Sequence, residues 1–277
     1  MEGLRRSFLT RFLLSPASEG QKWGLITHGS LYEYCNSFDL MRRSPANLGA
    51  QLLGKDAFDA LLMRRILAKF DLVFALAERE RAELRRVFKL RGEKVRVLGN
   101  FVSEEQTSQP PGIDATVSNH APYVCAVSRI HPRKNFLSAI RAIQGIGLSF
   151  VLAGEDWGGL RILKNEVARK SLQGFVYLGQ VSESRKRAII RGSVGTLLPS
   201  FFEGVPFGVL ESLALSRPAV CTRWCYLDHY SGLVFCDPTP ESVRSALQRL
   251  LDNPPVPDPA QLPRLLDVVD ELLRCVS

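Results

Sequence analysis

No apolar run in the 277 residues approaches the roughly 18 to 20 that a membrane-spanning helix needs, so the sequence predicts no bilayer span. The chain also lacks the composition of disorder: 45% of residues are hydrophobic and the net charge is only +8. Its 21 glycines and 16 prolines stand near ordinary globular usage, which excludes collagen-like or linker-type sequence. Cysteines number six, and Cys221, Cys225, His229 and Cys236 form a loose cluster whose spacing matches neither common zinc pattern. No metal is expected. Cys125 and Cys221 lie in apolar runs and read as small buried hydrophobes. No cleavable signal-peptide pattern opens the sequence, so a reducing cytoplasm is the expected compartment. Nucleic-acid module signatures, internal repeats and low-complexity tracts are missing as well, and no nucleic-acid partner is expected.

What is present is unevenly spread. Residues 1–100 hold 18 Lys+Arg against 11 Asp+Glu, whereas residues 101–277 hold 18 against 17. A basic surface confined to the front third suits nucleic acid, anionic lipid or an acidic substrate. The opening MEGLRRSFLTRFLL places Leu4, Phe8 and Phe12 four residues apart, with Arg5, Arg6 and Arg11 mostly elsewhere. Three readings stay open for it: a helix docked on its own domain, an interfacial membrane helix, or a targeting segment. The charged stretch Glu78–Leu90, with Arg79, Arg81, Arg85, Arg86 and Lys89 around Leu84 and Val87, predicts a helix whose cations favour an anionic membrane surface or, alternatively, merely solubilise a short domain.

Alternation of short strands and helices organises the chain. In front, strands are expected at 23–28, 72–76 and 95–98, with a helix over 57–70. A polar, Pro-rich stretch from 103 to 122 carries no periodicity and reads as the junction between domains 1–115 and 116–277. Behind it, strands are expected at 123–127, 148–153, 175–178, 195–198, 219–221 and 233–235. Helices are expected between them at 134–144, 159–171, 183–191, 207–216 and 240–251. Such βαβ alternation makes a doubly wound parallel sheet, covered on both faces. The run 252–263, with five prolines, is expected to be irregular, and a last helix closes the chain at about 262–275.

Ligands of doubly wound sheets sit beyond the carboxyl ends of the strands, so the segments after each strand are where chemistry is sought. In Ser128–Asn135, Arg129 and Lys134 flank a strand end and a helix start, where two cations can close on a diphosphate. The bland alternative is a solvated basic loop. In Pro199–Glu211, Glu203 lies in the loop and Glu211 in an almost wholly apolar helix, where an unpartnered carboxylate is costly. Gly204 and Gly208 permit close backbone approach, and their neighbours present amides at a helix start.

The segments VSRIHPRKN, LSFVLAGED, VYLGQVSES and LLPSFFEGVPFGVLESLALSRPAVCT resemble the carboxyl-terminal domain of retaining, nucleotide-sugar-dependent glycosyltransferases of GT-B fold, family 4. The resemblance runs from about Tyr123 to Leu250, and its most specific element is Glu203-x7-Glu211. It implies that Arg129 and Lys134 neutralise the nucleotide diphosphate and that Glu203 holds donor-sugar hydroxyls. Glu211 would take the ribose hydroxyls. Amides from Gly204 through Val205, Pro206 and Phe207 to Gly208 would lie beside the sugar or phosphate, and Gly179 and Gln180 near the base. The implied donor is a nucleotide-diphosphate-sugar, without a metal, and no catalytic base is nominated. His28-Gly29 resembles the family's strand-end histidine, which reaches the donor sugar; a hydrogen-bonded structural histidine is the alternative. Gly99-Asn100-Phe101-Val102 resembles the turn ending the family's first domain, without its usual Gly and Asp.

Expected with these roles is transfer of sugar to a lipid-linked or cell-surface polysaccharide acceptor, at the cytoplasmic face of a membrane. The alternative is a weakly active homologue that binds nucleotide or a partner chain. The front domain is shorter than the family's, so an exposed sheet edge covered by a second copy, another chain or a membrane is expected.

Overall fold

A computed structural model describes residues 24–26, 64–103, 112, 114–227 and 229–276. The amphipathic start and His28 lie outside them. The chain divides into two compact units, Met1–Leu98 with Leu273–Ser277, and Gly99–Leu272.

In the first unit, strands β1 (Gly24–Ile26), β2 (Leu72–Ala75) and β3 (Val95–Val97) form a parallel sheet in that order. Residues 64–68 are helical, within the stretch where helical periodicity is read. Helix α1 (Glu78–Phe88) buries Leu84 and Phe88, one turn apart, against Leu67, Val73, Ala75 and Val95. Val87, expected to face inward, is only partly buried, because Phe88 takes the core-facing position. Part of the basic belt is balanced within the helix: Arg81 pairs with Glu78 at 2.8 Å and Arg79 with Glu83 at 3.6 Å. Arg85, Arg86 and Lys89 are exposed.

The second unit is built on a six-stranded, wholly parallel sheet. Its strands are β4 (Tyr123–Val127), β5 (Ser149–Ala153), β6 (Phe175–Tyr177), β7 (Gly195–Leu198), β8 (Ala219–Thr222) and β9 (Leu233–Cys236). Their spatial order is β6-β5-β4-β7-β8-β9. The central strands β4, β5, β7 and β8 read as short apolar runs because helices cover both faces, and nearly every residue in them is buried. The helices are α2 (Ala115–Ser118), α3 (Phe136–Ala142), α4 (Leu160–Lys170), α5 (Glu183–Gly192), α6 (Phe207–Ala214), α7 (Pro240–Asp252) and α8 (Leu265–Val276). Local chemistry sets their starts: the Ser182 hydroxyl accepts the Arg185 N–H, and the Thr239 hydroxyl accepts that of Ser242. The same device makes α2 inside the stretch expected to be irregular, since Asp114 accepts the Thr116 N–H and also pairs with Arg185. Another capping aspartate, Asp258, starts the 3-10 turn Pro259–Gln261 inside the Pro-rich run.

Strand order reverses beside β4, with β5 and β6 on one side and β7, β8 and β9 on the other. The loops leaving β4 and β7 therefore diverge and open a crevice at that switch point. Among the described residues no helix is long and apolar enough to cross a membrane. Cys125, Cys221, Cys225 and Cys236 are buried free thiols. Burial pushes the Cys125 and Cys236 thiols up to about 12, which keeps them protonated and inert.

Candidate functional site

The loop after β4 is fastened to the loop after β5. Ile130 N–H donates to the Glu155 carbonyl at 2.8 Å, and Trp157 N–H donates back to the Ile130 carbonyl at 3.0 Å. This approach requires glycine at 154: its φ is +139°, and a Cβ there would stand 2.0 Å from the Ser128 carbonyl oxygen. Arg129 projects to the surface, its Cζ 4.6 Å from the centre of the Trp157 ring. Farther on, the 3-10 turn Pro132–Lys134 is capped by His131, whose Nδ1 accepts the Arg133 N–H at 3.1 Å. Burial and the cations Arg133, Arg129 and Lys134 hold His131 below the ordinary imidazole range, so it is neutral and free to accept.

Asn135 ends the turn in the left-handed region, φ 54°, which asparagine tolerates. Its side-chain amide donates to the carbonyls of Pro199 and Pro238, each at 3.0 Å, tying the loops after β4, β7 and β9 together. Lys134 is thereby held almost buried. Its ammonium meets the Glu203 carboxylate at 2.7 Å, with the two side chains only 11% and 10% exposed.

The loop after β7 turns into α6. Gly204, Val205 and Pro206 are buried, and the carbonyls of Gly204 and Val205 accept from Tyr226 N–H and the Asn100 side chain. Proline at 206 offers no N–H, so the amides that α6 presents at its start are those of Phe207 and Gly208. Gly208 lies close to β4: a Cβ there would stand 3.4 Å from the Val127 carbonyl oxygen. One turn into the helix, Glu211 is buried and accepts from Lys186 of α5 at 2.7 Å. Lys186 also pairs with Glu183 at 2.6 Å. Burial pulls the Lys186 pKa down, but the bonds to Glu183 and Glu211 outweigh it and leave the ammonium above its ordinary value.

These elements enclose a cleft of about 360 Å³ at the switch point. Val127, Ser128 and Arg129 line it from β4, Gly154 and Glu155 from β5, and Gln180, Val181, Glu183 and Lys186 from the loop and helix after β6. Phe207, Gly208 and Glu211 close it from α6. Of the residues singled out from sequence, Arg129, Gln180, Phe207, Gly208 and Glu211 thus share one cleft. Gly179, at φ +72°, shapes its wall through the bond from Gly154 N–H to its carbonyl, at 2.7 Å. Lys134 and Glu203 form a separate buried pair, and Gly204, Val205 and Pro206 are buried and do not line the cleft. Sequence reasoning missed Lys186, Glu183 and Glu155. A lysine in the charged helix ESRKRAIIRG carries no local signal of its partner 25 residues away. Among the described residues, no three His, Cys, Asp or Glu side chains come together as a metal-ligand set.

A doubly wound parallel sheet with its cleft at the switch point, joined in one chain to a second parallel sheet, defines an α/β protein of GT-B type. Residues 121–253, a little under half of the chain, match the family model described as Glycosyl transferases group 1. An uncharacterised glycosyltransferase of Methanocaldococcus jannaschii is 27% identical over 127 residues, 44% of this chain; the chain spans 36% of that relative. Among solved structures, sucrose-phosphate synthase from Thermosynechococcus elongatus superposes with a TM-score of 0.69 at 17% identity, over 92% of this chain and 68% of that one. Anabaena HepE in complex with UDP and glucose superposes with a TM-score of 0.64 at 14% identity, over 91% and 65%. At such identities the two superpositions carry the fold.

Proposed function

We propose that the chain is a retaining glycosyltransferase that moves a sugar from a nucleotide-diphosphate-sugar to a lipid-linked or cell-surface polysaccharide acceptor. The observation that carries this reading is the cleft itself, where a helix amino terminus, a guanidinium that pairs with no carboxylate among the described residues, and a buried carboxylate converge within the stretch that matches the group 1 family model. Each suits one part of the donor. Arg129 and the amides of Phe207 and Gly208 face a diphosphate, the Glu211 carboxylate takes two ribose hydroxyls, and Gly179 and Gln180 border the base. Glu203 takes donor-sugar hydroxyls, which frees Lys134 to turn toward the phosphates. Bond cleavage places charge on the departing diphosphate, and preorganised cations and amides stabilise that charge as it forms. No metal is needed in this scheme, and no enzyme nucleophile is assigned.

In this reading the domain 116–277 binds donor and 1–115 faces the acceptor. His28 belongs to that acceptor side and lies outside the described residues. The basic front third supports a peripheral place at the cytoplasmic face of a membrane, with anionic lipid or a partner chain against it. A second reading, a weakly active homologue that binds nucleotide, is favoured by one observation: Lys134 is ion-paired with Glu203, and Lys186 engages Glu211. Calorimetry with UDP and UDP-glucose, chosen from the Anabaena complex, followed by an assay for released glucose, separates the two. Binding with turnover supports the transferase. Binding without turnover on any sugar supports the second reading, and no nucleotide binding overturns both.

A further inference from the structure

We infer that Trp157 is a positioning residue that holds the Arg129 guanidinium in the shape a diphosphate needs; this rests on the donor-site reading above. Two bonds fix the tryptophan although its side chain lies in an exposed loop and the residue is 50% exposed. Its main-chain N–H donates to the Ile130 carbonyl, and its indole Nε1 donates to Glu155 Oε2 at 2.9 Å. The following turn is locked by Asp156, whose Oδ1 accepts from Gly158 and Leu160 N–H at 2.9 and 3.0 Å. A large ring is therefore held still beside the cleft, with the Arg129 Cζ over it, 4.6 Å from the ring centre.

The geometry of a guanidinium explains what this achieves. Its N–H donors lie in the plane and the stacking surface is its face, so a ring behind it leaves the whole in-plane fork for phosphate oxygens. A carboxylate in the same place would consume those donors and cancel the charge. Lys134 and Lys186 show that outcome, each engaged by a glutamate at 2.7 Å. Among the described residues, Arg129 makes no ion pair with a carboxylate. Glu155 is the acid on the neighbouring cleft wall, and Trp157 occupies its Oε2 through the indole N–H. The ring thus does two things: it confines a flexible, exposed arginine, and it diverts the acid that would otherwise compete for it. Trp157 itself is not part of the cleft lining, so it acts through Arg129.

The test is a double-mutant cycle read by calorimetry, with UDP and uridine as probes and Arg129→Ala, Trp157→Ala, Trp157→Phe and the double alanine variant as proteins. Loss of an exposed cation–π contact should weaken UDP binding about three- to five-fold in Trp157→Ala. Uridine binding should not change, and Trp157→Phe, which keeps a ring, should recover most of the loss. In the Arg129→Ala background, removing Trp157 should cost nothing further. If wild-type chain binds UDP but the two losses simply add, or uridine weakens equally, the positioning role is overturned and the donor site stands. If wild-type chain binds no UDP, the donor reading falls and takes this inference with it.

Discussion

Removing the Lys134 ammonium tests the buried pair that it forms with Glu203. Lys134→Met keeps most of the aliphatic volume but leaves the Glu203 carboxylate, 2.7 Å away and nearly buried, without this partner. At that distance and an effective dielectric near 20, the gross attraction is about 6 kcal/mol. Desolvation of both ions offsets much of it, yet stranding one charge typically costs about 3 to 5 kcal/mol. Lys134→Met should therefore lower unfolding free energy by about 3 kcal/mol in urea titrations. Lys134→Met with Glu203→Met should lose far less than the two single variants together, because a paired removal strands no charge. Functionally, Glu203→Gln should release Lys134, leaving UDP affinity equal or improved while UDP-glucose loses its sugar contribution. A Lys134→Met chain as stable as wild type, or losses that add in the double variant, would refute the coupling.

Asn135→Ala removes two bonds to the Pro199 and Pro238 carbonyls and places alanine at φ 54°, so stability should fall by about 3 kcal/mol, with Asn135→Gly recovering only the backbone share. Gly154→Ala puts a Cβ 2.0 Å from the Ser128 oxygen at φ +139°, and should abolish UDP binding in calorimetry or prevent folding seen by circular dichroism. Bonds from Arg141 and Arg169 hold the Glu166 carboxyl down at about 2, below its ordinary 4.5. Its folded-state pKa is depressed, so its contribution is full above about pH 4.5 and fades as pH falls toward 2. Glu166→Gln should flatten that part of the stability-versus-pH curve measured by thermal melts.

The six-stranded sheet is legible because of how parallel sheets are buried. β4, β5, β7 and β8 are covered on both faces and so appear as bare apolar runs, and Ser182 and Thr239 mark helix starts by their own hydroxyls. Glu211 stood out for the same reason, a carboxylate in the apolar helix FGVLESLA. Contacts between distant segments left no such trace. Lys186 gains its role only because α5 brings it to Glu211 of α6, and Trp157 only because the loop after β5 is bonded to the loop after β4. Neither Lys134 nor Glu203 shows in sequence that it will pair with the other. Helix α2 was missed because its single turn depends on a side-chain cap at Asp114, too short for any periodicity to register.

Soaking UDP-glucose into crystals of the chain tests the central claim most directly. The account predicts the diphosphate between Arg129 and the amides of Phe207 and Gly208, the ribose hydroxyls on Glu211, and the Lys134–Glu203 pair opened with the sugar on Glu203. A nucleotide bound elsewhere on the chain, or in this cleft with its diphosphate turned away from Arg129, would contradict it.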